Sequence, residues 1–319
     1  ITLYESNPIS KSSMAVKPKT IFKDISGAGK LRYTQKENDF IDFKREPLIP
    51  YKCSRKGPYY AKTDVNGDKL EDLFIGGAAG AEGKLMLQNA NGSFTEKKQA
   101  VFAAAKNQED MSALFFDADG DGDMDLYVVS GGAEFSPGNT LYQDRLYKND
   151  GNGNFTIAAN ALPAEGFNGS SVTAMDYDSD GDQDLFVGGH VVPGRFPKAD
   201  RSMLLQNNKG VFTDVTSQDA KALLNAGIIN QAVWADVDGD GKNELSVCGE
   251  WMPLEIYSYL DGQFVKKQHS VHIILPSQKD TLISMDALIG WWYNMKAEDL
   301  NNDGRMDFVM GNRGLNSLI

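Results

Sequence analysis

DADGDGDMD, residues 117–125, decides the fold, because the same nine-residue arrangement returns four more times without a gap. The other copies are DVNGDKLED at 64–72, DYDSDGDQD at 176–184, DVDGDGKNE at 236–244 and DLNNDGRMD at 299–307. Their starts lie 53, 59, 60 and 63 residues apart. A repeat of that period marks a solenoid or a propeller, and it is long enough for one four-stranded blade with its connections.

The flanks of each loop support the blade. A strand-compatible run precedes it, such as SALFF at 112–116, and a β-rich run ending in glycine follows it. The five following runs are LFIGG at 73–77, LYVVSGG at 126–132, LFVGG at 185–189, LSVCG at 245–249 and FVMG at 308–311. This is a hairpin whose turn is the acidic loop. Four repeats then carry a second hairpin signal, an Asn- and Gly-rich turn before an aromatic: QNANGSF at 88–94, NDGNGNF at 149–155, NNKGVF at 207–212 and DGQF at 261–264. Two hairpins make four strands, and the phenylalanine is expected to plug the interface between neighbouring blades. The expected fold is therefore all-β, a β-propeller of four-stranded blades spanning residues 20–319, after a flexible N-terminal segment at 1–19. FKDIS at 22–26 mimics FTDVT at 212–216, so an outer strand from one end of the chain is expected to complete the blade left open at the other.

The loops read as calcium sites. A hard cation of that size takes six to eight oxygens from carboxylates, amide carbonyls and water. In the second loop Asp117, Asp119 and Asp121 alternate so that their carboxylates converge, Gly122 permits the sharp turn, and Asp125 reaches back from the next strand. The same roles fall to Asp176, Asp178, Asp180 and Asp184, to Asp236, Asp238, Asp240 and Glu244, and to Asp299, Asn301, Asp303 and Asp307. Backbone carbonyls at Asp123, Asp182, Lys242 and Arg305 would add a ligand each. The first loop keeps Asp64, Asn66, Asp68 and Asp72 but has Lys69 at the turn glycine, which implies a strained left-handed residue beside the metal. An EF-hand would need a Glu twelve residues from the first ligand, and that position holds Ile75, Val128, Val187, Val247 or Met310. Magnesium ranks second, since it demands a stricter octahedron with more water.

With these motifs in place, the chain resembles the FG-GAP or VCBS-repeat family, whose best-known member is the propeller of integrin α subunits. The resemblance covers roughly residues 58–319. DRLYKNDGNGNF at 144–155 and GNRGLN at 311–316 are further similar to bacterial VCBS proteins that also carry an ASPIC/UnbV domain. The resemblance implies a family norm of seven blades, of which this chain displays five motifs. It also implies that calcium loops lie on one face and ligands dock on the other. Position five before each first ligand (Tyr59, Ser112, Ser171, Gln231 and Asn294) would then line the ligand-side rim. The glycine-terminated strands would deliver Glu134, His190, Arg195, Glu250, Trp251, Asn312 and Arg313 there, and Trp291 and Trp292 would enter before the fifth loop. Glu134, His190, Arg195, Trp251, Trp292 and Arg313 are the expected ligand-binding set. The bland alternative for Trp251 and Trp291 is packing between blades.

The formal charge of -12 argues against nucleic acid or an anionic membrane as partner, and no aromatic nucleic-acid motif is present. The acid is local: apart from the ligand positions, Lys and Arg outnumber Asp and Glu. No run of eighteen apolar residues spans a membrane. Because the chain starts at Ile1, it is expected to be a processed or excised piece of a longer protein. Cys53 and Cys248 form no metal pattern, and Cys248 reads as a buried hydrophobe. The functional expectation is a noncatalytic, extracellular, cell-surface or periplasmic module for protein or glycan recognition and adhesion. The alternative is a polysaccharide-active, lyase-like enzyme on the same scaffold, but His190, His269 and His272 belong to no recognisable catalytic motif.

Overall fold

A computed structural model describes residues 30–274 and 280–313; the expectations for 1–19, 22–26 and 314–316 lie outside the described residues. Four antiparallel sheets of four strands follow one another along the chain. The first is β1 (Tyr60–Thr63), β2 (Asp72–Ile75), β3 (Lys84–Gln88) and β4 (Phe94–Lys97); the second is β5 (Asp110–Phe116), β6 (Asp125–Ser130), β7 (Arg145–Asn149) and β8 (Phe155–Ile157). The third is β9 (Gly169–Met175), β10 (Asp184–Gly189), β11 (Met203–Asn208) and β12 (Val211–Asp214), and the fourth β13 (Ile228–Ala235), β14 (Glu244–Met252), β15 (Glu255–Leu260) and β16 (Gln263–Lys267). A hairpin, β17 (Ser270–Ile274) and β18 (Asp280–Ser284), then precedes β19 (Gly290–Glu298) and β20 (Asp307–Asn312), which flank the fifth acidic loop. The far end of β14 pairs with β19, Glu250 opposite Trp291, so the fourth blade and the fifth pair form one sheet.

Every acidic loop closes the first hairpin of its blade. The last ladder pair before it is Thr63 with Asp72, Phe116 with Asp125, Met175 with Asp184, Ala235 with Glu244, or Glu298 with Asp307. The innermost strands β1, β5, β9, β13 and β19 are neighbours in that order, the arrangement of a β-propeller.

The second strands of the first four blades read as unbroken apolar runs because both of their faces are covered, whereas on β20 Val309 is exposed. On β6, Leu126 and Val128 pack toward the first blade with Phe74, Leu85 and Tyr147, whereas Tyr127 and Val129 pack toward the third with Leu185 and Leu205. The second-hairpin phenylalanines fill these interfaces: Phe155 between blades one and two, Phe212 between two and three, Phe264 between three and four. Phe94 is half-buried and outside those clusters. Cys248 is buried in the cluster between blade four and β19–β20. The terminal glycines answer to close approach of backbone. A Cβ at Gly131 would meet the Gly169 carbonyl oxygen, and one at Gly249 would meet that of Ile228.

Residues 30–58 form no strand. They run as a strap with one helical turn, α1 (Asp42–Arg45), and a tighter turn at Cys53–Arg55. Asp42 is buried and accepts from the Ser54 amide (2.9 Å) and hydroxyl (2.6 Å), which ties the strap to itself. The strap's other partners belong to blades one to five, at the strand ends away from the acidic loops.

Candidate functional site

One hydrogen-bond scheme recurs in the five acidic loops. The first carboxylate gathers the loop backbone: Asp117 accepts from Gly120 and Gly122, Asp176 from Asp180 and Gly181, Asp236 from Gly239 and Gly241, Asp299 from Asp303 and Gly304. Asp64 accepts from four amides, those of Asn66, Gly67, Asp68 and Lys69. These bonds require two left-handed residues per loop. They are Gly67 and Lys69, Gly120 and Gly122, Ser179 and Gly181, Gly239 and Gly241, and Asn302 and Gly304. Lys69, at φ 69°, is the only one of the ten with a long side chain, as its place in the motif predicts.

The last carboxylate of each loop is a lock. Asp125 is buried and accepts from Ala118 in the loop (3.2 Å) and from Asn149 at the end of β7 (2.8 Å), joining three strands through one side chain. Asp72 does the same with Val65 and Gln88, and Asp184 with Tyr177 and Asn207. Glu244 uses Val237 and the Ser258 hydroxyl, and Asp307 accepts from Leu300. Asparagines from the next turn carry the connection across blades. Asn149 donates to the Val65 carbonyl of blade one, and Asn207 to the Ala118 carbonyl of blade two.

In three loops the first, third and ninth positions bring carboxylate oxygens within 4.8 Å of one another: Asp117, Asp119 and Asp125; Asp176, Asp178 and Asp184; Asp236, Asp238 and Glu244. These all-oxygen donor sets suit a hard divalent cation. Asp119 makes the fit specific, since its Oδ1 is buried with no hydrogen-bond partner while Oδ2 pairs with Lys148 at 2.7 Å. Burial, with Asp119 and Asp121 adding, pushes the Asp125 carboxyl up to about 6; burial, with Asp178 and Asp180 adding, takes Asp184 to about 7. A bound cation reverses that repulsion. In the first and fifth loops Asn66 and Asn301 supply amide oxygens in place of the third-position carboxylate. Asp68, Asp121, Asp180, Asp240 and Asp303 are exposed, each accepting from the amide two residues on. Those downstream residues include Asp123, Asp182, Lys242 and Arg305, the expected carbonyl donors.

The sequence profile of a family described as FG-GAP-like repeat matches residues 64–128, 133–187 and 236–310, and each matched stretch contains at least one of these loops. The chain belongs to the FG-GAP-like repeat family. Its FG-GAP repeats correspond to the blades, with the metal-type loop as the first turn of each. Among solved structures, the chain is similar to BBS1N in the crystal structure of its complex with ARL6DN, soaked with mercury, at 10% identity over 83% of this chain and 79% of that one, with a TM-score of 0.41. It is also similar to the Dos1 propeller, at 10% identity over 65% of this chain and 58% of that one, with a TM-score of 0.32. No curated protein sequence matches it. Among the described residues no helix is long and apolar enough to cross a membrane.

The strap packs on the face of the FG-GAP propeller opposite the loops. Lys56 places its ammonium 2.7 Å from His190 Nε2, 3.5 Å from Asn230 Oδ1 and 3.4 Å from Glu250 Oε1, while Tyr51 donates its hydroxyl to Glu250 at 2.5 Å. An ammonium only donates, so His190 accepts at Nε2 and carries its proton on Nδ1, which is buried without a partner. Burial and the adjacent Lys56 hold the imidazole well below its ordinary pKa. Elsewhere Asn38 donates to Glu134, and Glu46 accepts from the amides of Gly194 and Phe196. Burial, with Glu134 nearby, pushes the Glu109 carboxyl up to about 9.

Of the expected ligand-binding residues, His190 is buried under Lys56, and Glu134 is engaged by Asn38. Arg195 is exposed, and Trp292 is half-buried and donates to the Leu288 carbonyl. Trp251 is 56% exposed and meets Trp291 edge to face at 4.9 Å. Arg313 lies over the Trp291 ring. Of the rim positions, Tyr59, Gln231 and Asn294 line a cavity between the innermost strands and the strap, Ser171 is buried, and Ser112 is half-buried. Sequence reasoning missed Tyr51 and Lys56, whose one signal is the density of aromatic and basic residues in YKCSRK at 51–56.

Proposed function

We propose that this chain is a noncatalytic recognition module, stabilised by calcium in its FG-GAP loops, that works outside the cytoplasm and docks a protein or glycan on the face opposite those loops. The observation that carries the reading is the identity of design in five loops: one hydrogen-bond scheme, one pair of left-handed positions, and converging carboxylates wherever the third residue is Asp. Five such loops facing water would repel themselves without a counterion. Extracellular calcium modules bind at about 10⁻⁴–10⁻³ M, and open, exposed loops of this kind suit that range. The proposal treats residues 20–319 as one recognition unit and assigns the metal a structural role, with Asp117, Asp119 and Asp125 and their equivalents as its ligands.

The test is calorimetric titration of metal-stripped protein with calcium, beside melting curves with and without chelator. Saturable binding and a rise in melting temperature are expected. No binding and an unchanged melting temperature would refute the metal role, and with it the reading of the loops.

A further inference from the structure

The mouth of the cavity on the strap-bearing face has more equipment than closure requires. The cavity, of about 290 Å³, lies beside Lys56 and is walled by Tyr59, Asn230, Gln231, Tyr293 and Asn294. Amides and phenols both donate and accept, which suits a ligand dense in hydroxyls. From Tyr293 the aromatic rings lead outward, to Tyr51 at 6.4 Å, then Trp291 at 6.3 Å, then Trp251 at 4.9 Å. Trp251 has φ 60°, a left-handed conformation that costs an ordinary residue about 1–2 kcal/mol, and its indole is turned out into water rather than buried. Strain that exposes a large apolar ring is a feature of binding sites more than of packing.

Charge selects among hydroxyl-rich ligands. Three acids of this face are covered and engaged, Glu250 by Tyr51 and Lys56, Glu134 by Asn38 and Glu46 by two amides, while Asp39 on the strap is exposed. Lys52, Arg55, Arg195 and Lys198 are exposed. Arg313 sits 5.4 Å from the Trp291 ring centre and 5.8 Å from that of Tyr51, and no carboxylate among the described residues pairs with it. Exposed cations therefore outnumber exposed acids around the cavity, while the acidic loops occupy the other end of the blades.

We propose that this mouth binds the end of an acidic, uronate-bearing oligosaccharide. One terminal sugar enters the cavity and meets its amides and phenols. The cavity is too small for a longer segment, so the next rings lie outside it along Trp291 and Trp251, and a uronate carboxylate pairs with Arg313. This inference rests on the reading that the ligand face is the one opposite the metal loops.

Calorimetric titration with tetragalacturonate and with a hyaluronan hexasaccharide, at fixed free calcium, tests it; maltotetraose and tetraglutamate serve as comparisons. Saturable binding of at least one acidic sugar is expected, with at least tenfold loss in Arg313→Gln and in Trp251→Asn. Asparagine tolerates the left-handed backbone, so Trp251→Asn removes the ring without unfolding the site, as its melting curve should show. Glu71→Gln, an exposed partner of Lys62 at the loop end of the first blade, should leave sugar affinity unchanged. No binding of either acidic sugar overturns the inference, as does equal binding of maltotetraose or of tetraglutamate. If neutral sugar binding depends on Trp251, the ligand face survives and only the acidic class falls. Acidic sugar binding that is lost in Glu71→Gln yet kept in Trp251→Asn overturns the face itself.

Discussion

Replacing Asp119 and Asp125 separates metal binding from the metal-free fold within one loop. Asp125 accepts from two buried amides, Ala118 and Asn149. Leaving a buried donor unsatisfied costs about 1–3 kcal/mol, so Asp125→Ala should lose about 2–6 kcal/mol in the presence of chelator. Asp119 holds no backbone donor. Its only partner among the described residues is the partly exposed Lys148, a contact worth at most about 1 kcal/mol, and asparagine keeps the acceptor. Asp119→Asn should therefore match wild type in chelator. Calcium at ten times its dissociation constant stabilises the native state by about 1.4 kcal/mol per site, and both variants should forfeit that increment for this loop. Urea unfolding with chelator and with calcium, read from midpoints at constant slope, measures all four quantities. The reasoning fails if Asp119→Asn is as unstable as Asp125→Ala without metal, or if it retains the full calcium increment.

Lys69→Gly should tighten calcium binding to the first loop by relieving a left-handed lysine and removing a nearby positive charge, and weaker binding in calorimetry would contradict the aligned register. Asn207→Ala removes the bonds to Ala118 and Gln183 in the loops of blades two and three and should lower stability by about 1–3 kcal/mol in denaturant titration. His190 has a folded pKa below its unfolded value of about 6.5. Below that pH the unfolded chain takes up a proton that the native site refuses, so stability should fall by up to about 1.4 kcal/mol per pH unit, while above pH 7 the contribution is flat. His190→Gln should flatten the acid limb of a melting-temperature profile between pH 6.5 and 5; an unchanged limb would mean that Lys56 accommodates the imidazolium.

The blades were legible because their determinants are local and repeated. The acidic loop, the apolar second strand, the terminal glycine and the Asn-Gly turn each occupy a fixed offset, so five imperfect copies correct one another. Phe155, Phe212 and Phe264 could be placed between blades for the same reason. Asp125 was only half legible: its fixed place in the repeat makes it a candidate ligand, whereas its grip on Asn149 depends on where β7 returns. The strap was not legible. Asp42, Glu46 and Lys56 look like surface residues by type, and their burial depends on partners from 12 to 194 positions away. The hairpin β17–β18 also escaped notice, because it belongs to no repeat. On the face opposite the loops, the glycine-terminated strands put Trp251 and Arg313 at strand ends, but nothing in them hinted that the preceding segment of chain would cover His190.

The strap also dictates an order of events during synthesis. Tyr51 and Glu250 are 199 residues apart, and a ribosome adding about 5–20 residues per second needs about 10–40 s to travel between them. Through that interval the first three blades can assemble on their own hairpins, and Asn38, Glu46 and Lys56 can find Glu134, the Gly194 and Phe196 amides and His190, whereas Tyr51 still lacks its acceptor. The strap can thus settle in the order in which its partners are made, and the docking of Tyr51 reports that blade four has been made.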